Sequence, residues 1–221
     1  MIIAVIPAYN EASRITQVIE HARVFVDRVI VVDDGSTDGT GETAERAGAF
    51  VVQHIQNSGA GAATMTGIEA ARVLGARIII TLDADGQHDP KDIPLLLNPV
   101  KEDKADIVFA NRFGQRNRIP FVRRIFNGIG NVVTLLATGK WVADSQSGFK
   151  VLGPKAVDQI DLRMSGFEFC TEIVREVVQH RWRVLEVPTK VLYSDYTLAK
   201  GQSFAGGVKT ALRILLRSFL R

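Results

Sequence analysis

Apolar positions in the amino-terminal part of the chain follow two alternating patterns. Short β-branched runs at residues 2–6, 29–32, around 51–52 and 78–82 read as strands, because buried strands are brief apolar runs bounded by breakers. Between them, residues 12–24, 38–47 and 61–74 carry helical spacing. Alternation of this kind with short connections predicts an α/β fold with a mainly parallel sheet, right-handed crossovers and flanking helices. Farther on, a helical stretch begins after Pro120 and ends near Thr138-Gly139, and Cys170 falls in another helical pattern as a small buried side chain.

Composition narrows the class. A chain of 221 residues with 46% hydrophobic content can bury a full core as one domain of the larger α/β kind. The formal charge of +3 gives no global reason to expect nucleic acid as a partner. One cysteine excludes an intrachain disulfide and a cysteine-rich zinc site, which fits a reducing compartment. The first strand starts at residue 2, leaving no room for a signal peptide, and no apolar run reaches the roughly 18 residues of a membrane span. The expected location is the cytoplasm.

The run Ile78-Ile79-Ile80-Thr81-Leu82 stops in Asp83-Ala84-Asp85-Gly86-Gln87. Ligands of open α/β sheets gather at the carboxyl ends of such strands. Period-two alternation sends Asp83 and Asp85 to one side wherever strand geometry persists, and Gly86 lets the backbone turn away. Two carboxylates with the Gln87 amide oxygen suit Mg²⁺ or Mn²⁺, whose other positions are filled by substrate phosphates and water. Taken alone, Asp-x-Asp is also an ordinary polar turn.

Two other strand ends carry unusual residues. The first runs into Pro7-Ala8-Tyr9-Asn10-Glu11 and the second into Asp33-Asp34-Gly35-Ser36-Thr37-Asp38. With the Asp-x-Asp they predict a crevice for a nucleotide, Tyr9 flanking a base and a carboxylate accepting from base N–H or ribose hydroxyls. The second run is equally a turn into a helix with Ser36 or Asp38 as N-cap, and both readings hold at once. Asn57-Ser58-Gly59-Ala60-Gly61 opens the next helix, either offering N–H groups to an anion or merely packing closely. Its spacing matches neither G-x-G-x-x-G nor a Walker loop, which weighs against dinucleotide binding and ATPase chemistry.

In that order these segments resemble family 2 glycosyltransferases of the GT-A (Rossmann-like) fold. Ala110-Asn111-Arg112-Phe113 and Asp144-Ser145-Gln146-Ser147-Gly148-Phe149-Lys150 narrow the resemblance to the dolichol-phosphate mannose synthase-like branch, which charges polyprenyl phosphates with one sugar. The likeness spans residues 2 to about 203. It implies Pro7, Tyr9, Glu11, Asp34 and Asp83 around the nucleotide, Asp83, Asp85 and Gln87 at the metal, Arg112 and Asp85 at the reacting phosphates, and Lys200 at the pyrophosphate. It places Arg123, Arg124 and Ser147 toward an acceptor phosphate. The loop at Lys200-Gly201-Gln202-Ser203 lacks the second cation found in many relatives.

The stretch after Pro120 starts with Arg123 and Arg124 and reads either as a core helix with a solvated basic end or as an amphipathic helix in a membrane interface. Asp144 is a candidate general base if the acceptor is a hydroxyl; an anionic lipid phosphate needs none, and Asp144 then orders its loop. Gln179-His180-Arg181-Trp182 is one residue short of the Q-x-x-R-W motif of processive synthases and is rejected. His88 and His180 read as surface or turn residues. Beyond a catalytic domain at 1–203, residues 204–221 are expected to form a basic amphipathic helix suited to anionic lipid.

The function expected is a metal-dependent, inverting hexosyltransferase, peripheral on the inner face of a membrane. Its donor is GDP-mannose or a UDP-hexose and its acceptor a polyprenyl or dolichyl phosphate; a homo-oligomer stays open. The alternatives are a GT-A enzyme with a hydroxyl acceptor, a nucleotidyltransferase, or an inert nucleotide-sugar-binding scaffold.

Overall fold

The computed structural model describes residues 1–115, 117 and 119–193; Lys200 and the expected helix at 204–221 lie outside them. The elements run β1 (Ile2–Ala8), α1 (Ile15–Ala22), β2 (Arg28–Asp33), α2 (Thr40–Arg46), β3 (Phe50–Gln53), α3 (Ala60–Val73) and β4 (Ile78–Thr81). They continue with α4 (Ile93–Lys101), β5 (Ile107–Asn111), α5 (Phe121–Thr138), β6 (Lys150–Leu152), α6 (Pro154–Gln159), α7 (Phe169–Gln179) and β7 (Val184–Pro188).

These strands form one seven-stranded sheet in the order β3-β2-β1-β4-β6-β5-β7. Strands β1 to β4 are parallel, and β5 is parallel to β7. Only β6 runs against its neighbours, inserted between β4 and β5 with Lys150 opposite Thr81 and Phe109. The mainly parallel sheet is as the alternating pattern predicts; the reversed strand is what the pattern did not reveal.

Alternation along the strands supplies both layers of the core. Ile3, Val5, Ile30, Val32, Ile79, Ile107 and Phe109 face α3, α6 and α7, while Ala4, Ile6, Val29, Val31, Ile80 and Val108 face α1, α2 and α4. Truncating a fully buried member such as Phe109 to Ala would cost about 3–5 kcal/mol. Cys170 is buried in α7 as expected. With both faces covered, the open region lies beyond the carboxyl ends of β1, β2 and β4.

Helix α5 departs from the usual amphipathic arrangement. Its polar Asn131 and Thr134 are buried, whereas Val122, Ile125, Ile129, Val132 and Leu136 recur on its exposed side at spacings of three and four. A core helix would present the reverse. Among the described residues no helix is long and apolar enough to cross a membrane.

Candidate active site

The loops after β1 and β2 are tied together by their own polar side chains. Asn10 N–H donates to the Ser36 hydroxyl (2.9 Å), Thr37 N–H to Asn10 Oδ1 (2.9 Å), and Ala12 N–H to Asp38 Oδ2 (3.1 Å). Asp38 Oδ1 also accepts Thr40 N–H at 3.0 Å, beside the start of α2. The residues expected as caps therefore brace two strand ends against each other. These charge-assisted bonds, Thr40 Oγ1–H among them, outweigh burial and hold Asp38 below the usual carboxylate range.

Asp34 is buried at the end of this frame. Its Oδ1 accepts from His54 Nδ1 (2.7 Å) and Ser58 N–H (2.9 Å), and its Oδ2 from Gly59 N–H (2.8 Å). Because an ionised carboxylate only accepts, His54 must carry its proton on Nδ1; Nε2 then faces the Thr66 hydroxyl at 3.0 Å. The start of α3 is closed to anions: Gly61 and Ala62 N–H groups both donate to the Ser165 carbonyl (2.7 and 3.2 Å). The close-packed alternative is thus the one realised there. Tyr9 lies 45% exposed at the end of β1, and Pro7 is half-buried within it.

Strand geometry does not persist to the two carboxylates. β4 ends at Thr81, and Ala84 and Asp85 lie in a turn that leaves through Gly86 at φ 74°, a conformation glycine adopts without strain. Gln87 N–H donates back to Asp85 Oδ1 (2.9 Å), closing the turn. Desolvation and then the neighbouring Asp83 charge push the Asp85 carboxyl up to about 7. Asp83 moves the same way: its packed surroundings disfavour charge, Lys150 and Arg112 oppose that, and Glu11 and Asp144 add to it. Yet 43% of the Asp83 side chain stays open, so the burial is one-sided and a solvent cation can reach it. Beneath it lies Gly148, where a Cβ would come within 2.0 Å of Asp83 Oδ1.

Two carboxylates crowded together without a balancing ion pair are a donor set that calls for a divalent cation. Among the described residues no cluster of three His, Cys, Asp or Glu side chains is arranged as a closed metal cage. The residues present therefore fit an open Mg²⁺ or Mn²⁺ site completed by substrate phosphates better than a structural metal.

Arg112, just past the end of β5, is buried against Asp144. Its backbone N–H (2.9 Å) and Nε (2.7 Å) both donate to Asp144 Oδ2. Burial opposes the guanidinium charge, but the Asp144 carboxylate more than offsets this and keeps Arg112 protonated. The loop that carries Asp144 is fixed from two sides: Asn131 of α5 takes Ser145 N–H (3.1 Å) and donates to the Ala143 carbonyl (2.6 Å), and Glu186 of β7 receives Ala143 N–H (3.0 Å).

These positions correct three expectations. Asp144 has no exposed surface, so it cannot meet an acceptor hydroxyl as a base; it orients Arg112. Ser147 is also fully buried, its hydroxyl accepting from Phe149 N–H (3.4 Å), because the loop folds inward to enter β6. His88 is not a surface residue but 3% exposed, with its ring edge-on to Phe149 (5.4 Å between centroids). Burial, with Arg112 and Lys150 nearby, drives its pKa well below the usual histidine value. Arg123 and Arg124 sit on the first turn of α5, the second exposed and the first half-buried. The short Q-x-R-W segment closes α7, where Trp182 is buried and its indole donates to Gln159 (2.9 Å), a packing role.

Lys150 is a further residue that sequence reasoning passed over. It is fully buried, donates to the Ser147 carbonyl, and lies over the rings of Phe109 (5.5 Å) and Phe169 (5.7 Å). A lysine directly after Gly148-Phe149, in a strand otherwise apolar, was the available signal.

Comparison with known proteins agrees with this geometry. Residues 3–159 match the model of Glycosyl transferase family 2. An uncharacterized protein of Methanocaldococcus jannaschii is 35% identical over 98% of this chain and 91% of its own. The UDP-N-acetylglucosamine–dolichyl-phosphate N-acetylglucosaminyltransferase of Methanococcus voltae is 32% identical over 98% of this chain and 95% of its own. The polyprenol monophosphomannose synthase of Mycolicibacterium smegmatis is 25% identical, covering 95% of this chain and 83% of its own. Among solved structures, glucosyl-3-phosphoglycerate synthase from Mycobacterium tuberculosis, in complex with Mn²⁺ and uridine-diphosphate-glucose, superposes with a TM-score of 0.77 at 19% identity, over 99% of this chain and 78% of that one. With the GT-A sheet and the motifs at its strand ends in place, the chain belongs to glycosyl transferase family 2.

Proposed function

We propose that the chain transfers a hexose from a nucleoside diphosphate sugar to a polyprenyl phosphate, with inversion at the anomeric carbon. The observation that carries the acceptor class is the outward apolar stripe of α5, which begins beside Arg123 and Arg124. A contiguous apolar face next to cations suits a lipid chain and its phosphate, and the membrane interface in which both sit. The named activities of the M. voltae and M. smegmatis relatives support the same acceptor class.

Asp34 favours uridine over guanosine in the donor. An ionised carboxylate has about four acceptor sites. Three are taken by His54, Ser58 and Gly59, leaving one. Uracil offers a single imide N–H, whereas guanine presents two adjacent donors that need both oxygens. Tyr9, exposed beside Asp34 at the next strand end, would flank the base.

Asp83, Asp85 and Gln87 would hold the divalent cation, which when bound neutralises the diphosphate as a Lewis acid. The chain's own groups do the rest. Arg112, held by Asp144, presents positive charge to the diphosphate leaving group. An oxygen of the lipid phosphate forms the new bond to the anomeric carbon as the bond to the diphosphate breaks. That nucleophile is already anionic, so no general base is needed, in keeping with the burial of Asp144.

The test is to incubate the chain with Mn²⁺, polyprenyl phosphate and radiolabelled UDP-hexoses or GDP-mannose, then partition into organic solvent. Organic-phase label from a UDP-hexose, abolished by EDTA, is expected. Label from GDP-mannose alone would overturn the uracil assignment, and label confined to an aqueous product would overturn the acceptor.

A further inference from the structure

His88 has a position that the sugar-transfer chemistry does not by itself require. The ring is 3% exposed, and among the described residues neither of its nitrogens has a hydrogen-bond partner. Buried polar groups are nearly always paired, so an orphaned imidazole calls for a reason. Its Nε2 lies 3.8 Å from Oδ2 of Asp83, too far for a hydrogen bond yet with nothing better to bond.

Both partners are confined. The main chain of His88 pairs with Val191 in an antiparallel bridge, and the adjacent Gln87 carbonyl accepts Leu192 N–H (2.9 Å), so the backbone bearing the ring is pinned. Phe149 packs against the ring. On the other side, Gly148 lies against Oδ1 of Asp83 so closely that no side chain fits between them. Toward Oδ2, His88 Nε2 is a polar neighbour of Asp83 at 3.8 Å.

We propose that His88 is a positioning residue for the metal site, donating Nε2–H to Oδ2 of Asp83 once a divalent cation is bound and so fixing how that carboxylate faces the ion. This rests on the reading that Asp83 and Asp85 hold the cation. A shift of about 0.9 Å would bring the pair to ordinary hydrogen-bond length. Outer partners of this kind set the orientation of a ligand, and their loss typically lowers metal affinity about 10–100-fold.

The experiment measures Mn²⁺ affinity in the presence of UDP by electron paramagnetic resonance, together with Tm, for wild type, His88→Phe, His88→Gln and Asp85→Ala. His88→Phe should bind Mn²⁺ about 10–100-fold more weakly while its Tm holds or rises, because an apolar ring fills the same pocket without an orphaned nitrogen. His88→Gln, whose amide can donate from a similar place, should recover part of the affinity. In ¹⁵N-histidine spectra the resonances absent from His88→Gln should shift to the Nε2–H tautomer when Mg²⁺ and UDP are added to wild type. Wild-type affinity in His88→Phe, or an unchanged tautomer on Mg²⁺ addition, overturns the proposal. So does a joint loss of Tm and affinity that His88→Gln fails to recover. Should wild type itself bind no Mn²⁺, the metal reading falls and takes this one with it; binding by wild type but not by Asp85→Ala leaves the His88 variants to decide.

Discussion

Two acidic groups near the same end of the sheet are treated in opposite ways. Asp144 is wholly buried and neutralised, its Oδ2 receiving two bonds from Arg112. Asp83 and Asp85 stand partly open in a turn, and among the described residues neither forms an ion pair with a lysine or arginine. Taking charge out of water is tolerable when a partner is built in, so the Asp144–Arg112 pair serves as framework. Leaving two carboxylates to repel each other is tolerable where a ligand will relieve them, which is why the proposed cation site is the Asp83–Asp85 turn. Proximity to the cleft alone would not have separated the two.

Breaking the open pair should have the largest effect. Asp85→Ala removes a metal ligand from a partly exposed turn and opens no core cavity, so divalent-dependent transfer should fall on the order of 10³-fold with Tm nearly unchanged. Activity retained in EDTA would show that the turn is not the binding place.

Breaking the neutralised pair should cost less activity and more stability. Asp144→Asn leaves Arg112 buried with a weaker acceptor and its guanidinium free to shift, for which a loss of about 10²-fold in kcat/KM is expected. Tm should drop clearly, by an amount corresponding to about 3 kcal/mol. The pH profile of kcat should gain no new ionisation; a lost acidic limb would instead restore Asp144 as a general base.

A smaller effect comes from pushing on the open pair without removing it. Gly148→Ala places a methyl group against Oδ1 of Asp83 and should weaken Mn²⁺ binding about tenfold, with UDP affinity measured without metal unaffected. Equal Mn²⁺ affinity would mean that Asp83 is free to swing away.

Acidity gives the subtlest contrast. The Asp85 carboxyl, raised to about 7 from 3.8 in the unfolded chain, binds its proton more tightly when folded. It therefore adds stability below its folded pKa that is lost as pH rises through about 7. Metal-free wild type should lose Tm relative to Asp85→Asn between about pH 4 and about pH 7, levelling off above that, and Mn²⁺ affinity should climb over the same interval. A Tm difference independent of pH would place the Asp85 pKa back in the ordinary range.

What the sequence by itself determined was whatever depends on neighbours along the chain. β1, β2 and β4 were legible because β-branched runs ended in breakers, and α3 and α5 because their periodicity and bounding residues are local. The Asp83-Ala84-Asp85 turn declared itself by falling after a strand, and the family by the order of its motifs. What only the tertiary structure decided depends on partners distant in sequence. The reversal of β6 lies in its insertion between β4 and β5, strands far from it in sequence, which no local pattern encodes. Asp144 and Ser147 look like open loop residues until Arg112, Asn131 and Glu186 fold over them. Helix α5 has an apolar stripe in either reading, and only its docking through Asn131 and Thr134 turns that stripe outward. His88 reads as a turn residue because the turn is local, while its burial is imposed by Phe149 and Val191, 61 and 103 residues further along. Periodicity reports which face of an element differs from the other; which face is covered is settled by the rest of the molecule.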